Sequence, residues 1–346
     1  MCQHCAAHNR RRFLAGGTAL AASSLAMPAI AQQRHDLVVA TYGGLFEKLL
    51  REHVIPPFER DHPVNVKLEL GVGSTFIPKI VASPRRSPYD VIYVNDDEAL
   101  LGHAAGLWAP DQSAKLKNVK DVYDIVKPPM LPEYGCTIHE FVLVYNPAKL
   151  EKPTKWADLW RPGITVGVPH ISNSYGVIFL LISALNHGGD AKNMDAGFDG
   201  LKKLANMKIF KGVTQGFTMF QQGEIDAAMF HFSRAQLLKD KGLNVAWHRP
   251  TDGSWGIRTG VQIAKMAPNL DGAVAWADMV LGVPYQTVFT TDLYSPTNRN
   301  VTVPPKVAER LVLGSDQVKT IKFVPWEILN PQRDRLLSRW TRDFTG

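Results

Sequence analysis

The sequence predicts an α/β protein of two lobes, each a mostly parallel sheet flanked by helices. Three observations carry that expectation. Strand-like and helix-like stretches alternate from residue 36 onward, the order of a parallel, doubly wound sheet. The chain has 346 residues, more than the roughly 250–300 at which a single core stops growing. The apolar run Leu37-Val38-Val39-Ala40-Thr41 ends in Tyr42-Gly43-Gly44, and a helix-like segment follows. Such a strand-to-helix junction sits at the carboxyl end of an α/β sheet, where ligands bind.

Taken in order, residues 36–41 read as the first strand. Leu45, Leu49, Leu50 and Val54 lie near helical spacing, and Pro56-Pro57 should break that helix. Val64, Val66, Leu68 and Leu70 alternate as a half-buried strand. Gly71-Val72-Gly73-Ser74-Thr75 closes it, and 76–82 read as a short helix. Residues 89–94 form a third strand, after which Asn95-Asp96-Asp97-Glu98 opens a helix. Beyond an irregular, Pro-bearing stretch at 115–132, residues 137–145 form a long strand suited to crossing between lobes. A second series begins with a strand at 164–168, and Ser172-Asn173-Ser174-Tyr175 starts the apolar helix 176–185. A strand at 208–211, a helix around 217–222 and a strand at 226–230 continue it. Residues 244–247 and 257–264 are further strands, the latter suited to the return crossing. Helices are expected near 272–281, 305–313 and 331–340.

Composition is that of an ordinary globular chain, 45% apolar and 21% charged. The formal charge is +7, of which Arg10, Arg11 and Arg12 supply three; residues 1–31 contain no acid, so without them it falls to +4. No basic block and no aromatic-interleaved basic stripe occurs, which argues against nucleic acid as a partner.

The start of the chain reads as an export signal, residues 1–31. Arg10-Arg11-Arg12-Phe13-Leu14 forms a charged region, 15–27 a weakly apolar one, and Ala29-Ile30-Ala31 a cleavage site. A membrane anchor needs about 20 apolar residues, and this stretch is interrupted by Gly16, Gly17, Thr18, Ser23 and Ser24. The Arg-Arg-x-Phe-Leu order resembles the twin-arginine signal that carries folded proteins to the periplasm. Cys2, Cys5, His4 and His8 have metal-like spacing but precede the cleavage site. Cys136 is then the one cysteine of the mature chain, so no internal disulfide is expected.

Several landmarks resemble those of bacterial extracellular solute-binding proteins of the spermidine/putrescine type, which feed ABC importers. They are Tyr42-Gly43-Gly44 with Pro57-Phe58-Glu59-Arg60, then Pro88-Tyr89-Asp90-Val91-Ile92-Tyr93 and Gly106-Leu107-Trp108. Val144-Tyr145-Asn146-Pro147 leads to Pro153-Thr154-Lys155-Trp156-Ala157-Asp158-Leu159-Trp160. Gln222-Gly223-Glu224-Ile225-Asp226-Ala227 and Ser295-Pro296-Thr297-Asn298 complete the set. Each motif alone is weak; their order over about 38–300 is specific. The resemblance implies the two-lobed periplasmic binding protein fold (type II), with lobes of roughly 34–137 plus 260–346, and 138–259, two crossing strands and a solute trapped by hinge closure. It also implies a periplasmic location, a small-molecule solute and an ABC permease as partners, a monomer, no cofactor, no metal and no catalysis.

Each candidate cleft residue has a plainer structural alternative. Tyr42 offers a ring face and a hydroxyl, or fills a core. Gly43 and Gly44 permit close approach, or only a tight turn. Ser74 and Thr75 bind ligand or cap a helix. Asn95 or Asp96 faces the cleft and holds an amine or hydroxyl, while Asp97 and Glu98 suit a first helical turn. Thr137 and His139 lie at the crossing. Ser172, Asn173, Ser174 and Tyr175 both cap and present hydrogen-bond partners. His231 ends a second-lobe strand between Phe230 and Phe232. Trp255 follows Thr251-Asp252-Gly253-Ser254, which resembles a family loop where ligands stack on aromatics, and Arg258 could fork onto a carboxylate.

Polyamine binders of the family place an acid near the return strand, where this chain has Arg258-Thr259. An amine on Asp96 and an anion on Arg258 would suit a zwitterionic amino compound, so the expected solute is a small polar one, polyamine-like or zwitterionic. Rival readings are a ferric site recruiting Tyr294, Tyr285, Asp96 and His139, an enzyme, and a sensor subunit. No G-x-S-x-G, P-loop or H-E-x-x-H motif supports an enzyme, and Cys136 with His139 lacks the oriented base that thiol chemistry needs.

Overall fold

A computed structural model describes residues 34–124, 134–311 and 318–345. The export-signal reading of residues 1–31 lies outside them. The first half contains strands β1 (His35–Thr41), β2 (Val64–Leu70) and β3 (Val91–Asn95) with helices α1 (Leu45–Leu49), α2 (Ile55–Asp61), α3 (Gly73–Val81) and α4 (Asp96–Ala104). Strand β4 (Tyr134–Tyr145) leads to β5 (Thr165–Pro169), α5 (Ser174–Asn186), α6 (Asp195–Leu201), β6 (Asn206–Phe210), α7 (Val213–Gln221), β7 (Ala227–His231), α8 (Phe232–Asp240) and β8 (Ala246–His248). Strand β9 (Trp255–Ile263) returns, followed by α9 (Leu270–Leu281), α10 (Val283–Thr290), β10 (Ser295–Pro296), α11 (Pro305–Ala308), β11 (Lys322–Phe323), α12 (Trp326–Leu329) and α13 (Arg333–Trp340).

The strands run β2-β1-β3-β9-β4-β7-β5-β6, with β8 and β10 on β4 and β11 on β9. β1 is parallel to β2 and β3, and β5 is parallel to β6 and β7. Between these parallel triplets lie β9 and β4, antiparallel to each other and to their outer neighbours. The expected α/β, two-lobed arrangement with two crossing strands is therefore present. Both crossing strands are buried almost throughout, as central strands covered on both faces must be.

Alternate residues of each strand feed opposite faces. Val39 joins Phe46, Trp276 and Phe289 on one face of the first half, while Ala40 joins Phe76, Ile92 and Trp108 on the other. Leu143 joins Val166, Phe179 and Trp340 in the second half, and Val144 joins Phe210, Phe220 and Phe230. Helices on both faces give each half its own pair of cores, which is why a chain of this length need not build one oversized core.

Two expectations are corrected. Pro56-Pro57 does not end the first helix. A π-helical turn at Leu50–Val54 bridges α1 and α2, and the prolines fall in the first turn of α2. There the missing N–H has no helical partner to lose. The tail is the second. Residues 260–346 were expected to stay with the first lobe, but the chain crosses again after Val318 and Ile321, which pack in the first core. β11 adds to β9, and Val324, Trp326, Leu329, Leu336 and Trp340 are buried in the second core. Apolar burial of five large side chains outweighs sequence proximity here.

Candidate functional site

The carboxyl ends of β1, β3, β7 and the crossing strands meet around one cavity of about 170 Å³. Its lining is Tyr42, Gly43, Phe46, Asn95, His139, Tyr175, Val213, His231, Ser233, Arg234, Thr259 and Tyr294. Tyr42 and Gly43 follow β1, Asn95 ends β3, Tyr175 lies in the first turn of α5, and His231 ends β7. Val213 opens α7, and Ser233 and Arg234 lie in the first turn of α8. Neither α7 nor α8 has a side-chain cap. Their first N–H groups and positive dipole ends thus favour an anion nearby.

One wall is a hydrogen-bonded set. Tyr42 donates to Asn95 Oδ1 at 3.2 Å, and Thr259 Oγ1 donates to the same oxygen at 2.9 Å. Asn95 is the N-cap residue of α4, yet its side chain makes no cap bond. With its oxygen taken twice, its NH₂ is the group left for a ligand. The Asn95 backbone N–H is held instead by Glu98 Oε2 at 3.1 Å.

The other wall is aromatic and basic. His139 and His231 meet edge to face at 5.3 Å between ring centres, and His139 meets Tyr294 at 5.2 Å. His231 also packs on Phe141 at 4.6 Å and Tyr175 at 4.8 Å. Burial pushes the His139 imidazolium down to about 4, and Arg234 pushes the same way. Burial, His139 and Arg234 hold His231 well below its ordinary value too. Both rings are therefore neutral near pH 7. Burial raises the phenols of Tyr42, Tyr175 and Tyr294. Arg234 beside Tyr294 offsets part of that last rise. Among the described residues, Arg234 makes no ion pair, and it is the only charged side chain in the lining.

Of the residues singled out as cleft candidates, the cavity gathers Tyr42, Gly43, Asn95, His139, Tyr175 and His231, and it includes the ferric candidate Tyr294 as well. The others have structural duties. Asp96 is fully buried and accepts from Arg258 Nε at 3.0 Å. Arg258 also lies over the Phe323 ring at 4.8 Å. The pair expected to hold the two ends of a zwitterion instead satisfies itself, because two buried opposite charges cost less together than apart. Trp255 is 5% exposed and packs in the second core. Ser174 donates to Asp97 Oδ1 at 2.8 Å, and Asn173 caps α5 by accepting from Gly176 N at 3.0 Å. Ser172 bonds the His170 ring at 2.8 Å. Thr75 Oγ1 donates to the Val72 carbonyl at 2.7 Å, and the Ser74 backbone N–H donates to Glu98 at 3.2 Å. Thr137 is buried, with Oγ1 3.1 Å from His139 Nε2. Gly44 supplies a φ of 69° before α1 and lies outside the lining. Of the ferric candidates, Tyr294 and His139 both line the cavity, while the other two are engaged elsewhere. Tyr285 bonds Tyr93 at 3.0 Å, Asp96 is taken, and no metal-holding group of three His, Cys, Asp or Glu exists among the described residues. The Cys136 thiol is buried, donating to the Thr259 carbonyl at 3.4 Å.

Sequence reasoning stopped one turn short of Arg234 and passed over Phe46, Val213 and Ser233, and it named Tyr294 only as a ferric candidate. A signal existed for Arg234. A cation in the first turn of a helix opposes the dipole, so Arg234 is poorly placed for stability alone.

Behind the Asn95 wall lies an acidic group. Burial raises Asp96 to about 6, against the pull of Arg258. Burial first, then Asp97, raises Glu98 to about 8. Both folded values lie above the ordinary 3.8 and 4.5. Their contribution to stability is thus complete below about pH 4 and is lost as pH rises through 6 and then 8. Thermal unfolding across pH 4–9 is expected to show wild-type stability falling over that window, and the Glu98→Gln variant should have a flatter profile. Parallel profiles would contradict the assignment to Glu98.

Comparison with known proteins follows this geometry. The family model described as "Bacterial extracellular solute-binding protein" matches residues 41–287. An ABC transporter structure from Clostridium perfringens ATCC 13124 is similar at 27% identity and a TM-score of 0.76, covering 88% of this chain and 99% of that one. An ABC transporter substrate-binding protein from Bradyrhizobium japonicum USDA 110 shares 17% identity with a TM-score of 0.76, covering 90% and 100%. The binding protein AgtB from Agrobacterium tumefaciens R10, in complex with agropinic acid, shares 20% identity with a TM-score of 0.72, covering 90% and 99%. No curated protein sequence matches the chain. With 41–287 matched, more than half of its length, the chain belongs to the bacterial extracellular solute-binding protein family, the solute-binding components of ABC transporters.

Proposed function

We propose that this chain captures a small organic carboxylate, zwitterions included, between two lobes and delivers it to an ABC permease. The observation that carries this reading is Arg234, the only charged side chain lining the cavity and one without an ion pair among the described residues. A half-buried guanidinium lining a solute cavity is matched by a carboxylate, which it can bind with two parallel hydrogen bonds. The bare N-terminus of α8 adds to that attraction. No acidic side chain lines the cavity among the described residues, so the polyamine half of the expectation loses its support. The aromatic lining still accommodates an amine by cation–π contact. A neighbour of the same fold solved with agropinic acid is consistent with an acid as cargo.

Tyr42, Asn95 and Thr259 would stand on one side of the solute and Tyr175, His231 and Arg234 on the other. A ligand touching both sides favours the closed state. The moving bodies are residues 34–137 with 260–323, and 138–259 with 324–345. Export by the twin-arginine route, cleavage after Ala31, a periplasmic location and a monomeric state complete the proposal. No reaction is assigned. The test is calorimetric titration with γ-aminobutyrate, butyrate, other amino acids, succinate, putrescine and spermidine. Binding by carboxylates and not by the diamine or triamine is expected. Binding by putrescine or spermidine alone would refute the reading.

A further inference from the structure

His231 is 6% exposed, lines the cavity, and has no hydrogen bond at either ring nitrogen among the described residues. Its contacts are ring faces and edges of Phe141, Tyr175 and His139. A neutral imidazole has one N–H donor and one lone-pair acceptor, and in a ring that lines the cavity these are open to a solute. His139 differs, since its Nε2 is already 3.1 Å from Thr137 Oγ1. Arg234 follows His231 by three residues and lines the same cavity.

We infer that the solute carries a hydroxyl or amine close to its carboxylate, and that His231 recognises that group through its lone pair. This rests on the carboxylate reading of Arg234. The positive guanidinium favours the tautomer that turns the ring's lone pair, rather than its N–H, toward the Arg234 end of the cavity. An acceptor there adds something Arg234 cannot, since guanidinium only donates. A carboxylate lacking the donor would leave the buried nitrogen unpaired on closure. Sites that hydrogen-bond a substrate group reject the analogue lacking it far more strongly than apolar pockets reject a missing methylene. His231 is thus the specificity-determining residue that separates hydroxy- and amino-carboxylates from plain ones.

The experiment is calorimetry on the full chain, in EDTA, with matched pairs: lactate against propionate, 4-hydroxybutyrate and γ-aminobutyrate against butyrate. Wild type should prefer the donor-bearing member of at least one pair by about 100-fold or more. His231→Phe keeps the ring and removes both nitrogens. It should bring that ratio to within about threefold while still binding the plain carboxylate, and His231→Gln should restore part of it. Nitrogen-15 shifts of the His231 ring in wild type give an independent readout, with the acceptor nitrogen moving when the preferred member binds. Equal binding of both members by wild type, or a ratio unchanged in His231→Phe, would overturn the inference and leave the carboxylate reading standing. Binding that appears only after adding zinc or nickel would also overturn it, because the ring nitrogens would then be metal ligands. If no carboxylate binds at all, the Arg234 reading fails and this inference falls with it.

Discussion

Arg234→Ala should weaken carboxylate binding roughly 30- to 4,000-fold, the range that follows from a loss of about 2–5 kcal/mol on removing one member of a buried charge pair. It should do so without harming the fold. No ion pair holds Arg234 among the described residues, and its place in the first turn of α8 sets its charge against the helix dipole. Removing it relieves about 0.3–1 kcal/mol of unfavourable interaction with the dipole, which offsets the loss of its attraction to Asp292 and its contact with Tyr294. A variant that binds worse yet melts close to wild type is the pattern expected of a side chain kept for the solute. Arg234→Lys should fall between, since lysine keeps the charge but not the planar fork. A ligand-free readout exists as well. Arg234 contributes to lowering both His139 and His231, so both imidazoles should titrate higher in Arg234→Ala, as NMR would detect. Undiminished affinity in Arg234→Ala would remove the anchor from the functional assignment.

Asp97→Ala should lower stability by about 3 kcal/mol, measured by chemical denaturation. Asp97 is fully buried. Its carboxylate accepts from Ser174 Oγ at 2.8 Å and from Arg333 NH1 at 2.6 Å, and its carbonyl accepts from Asn330 Nδ2 at 3.0 Å. These partners come from α5 and from the tail, both packed with the second core, whereas α4 follows β3 of the first half. Removal leaves a guanidinium and a hydroxyl without their acceptor. The estimate sits at the low end for broken buried pairs because the Arg333 side chain is 24% exposed and water can cover part of it. Asp97→Asn should cost less, since the amide oxygen still accepts one bond. It should also lower Glu98 from its raised value, because Asp97 is the second cause of that rise. Loss below about 1 kcal/mol in Asp97→Ala would mean that the contact is incidental.

The α/β class was legible because strand and helix periods differ and because Tyr42, Asn95, Tyr175 and His231 follow or end predicted strands. Topology alone brings such positions to one edge of the sheet. Charges were not legible in the same way. Asp96 and Arg258 lie 162 residues apart and each resembled a solute ligand until space paired them. Arg234 drew no reading, because the helix that carries it was not expected between the strands at 226–230 and 244–247 and nothing local says which of its faces turns inward. The tail's destination was hidden for a related reason. Trp326 and Trp340 announce burial but not against which core.

That tail has a practical consequence. The described chain begins at β1 in the first half and ends with Phe344 stacked on Phe198 in the second, ring centres 6.2 Å apart. On the two-body division proposed above, His35 and Phe344 belong to different bodies. A fluorescent donor and acceptor attached at those two positions should then change separation as the solute is captured, turning the chain into an optical reporter of its own cargo without any label inside the cleft.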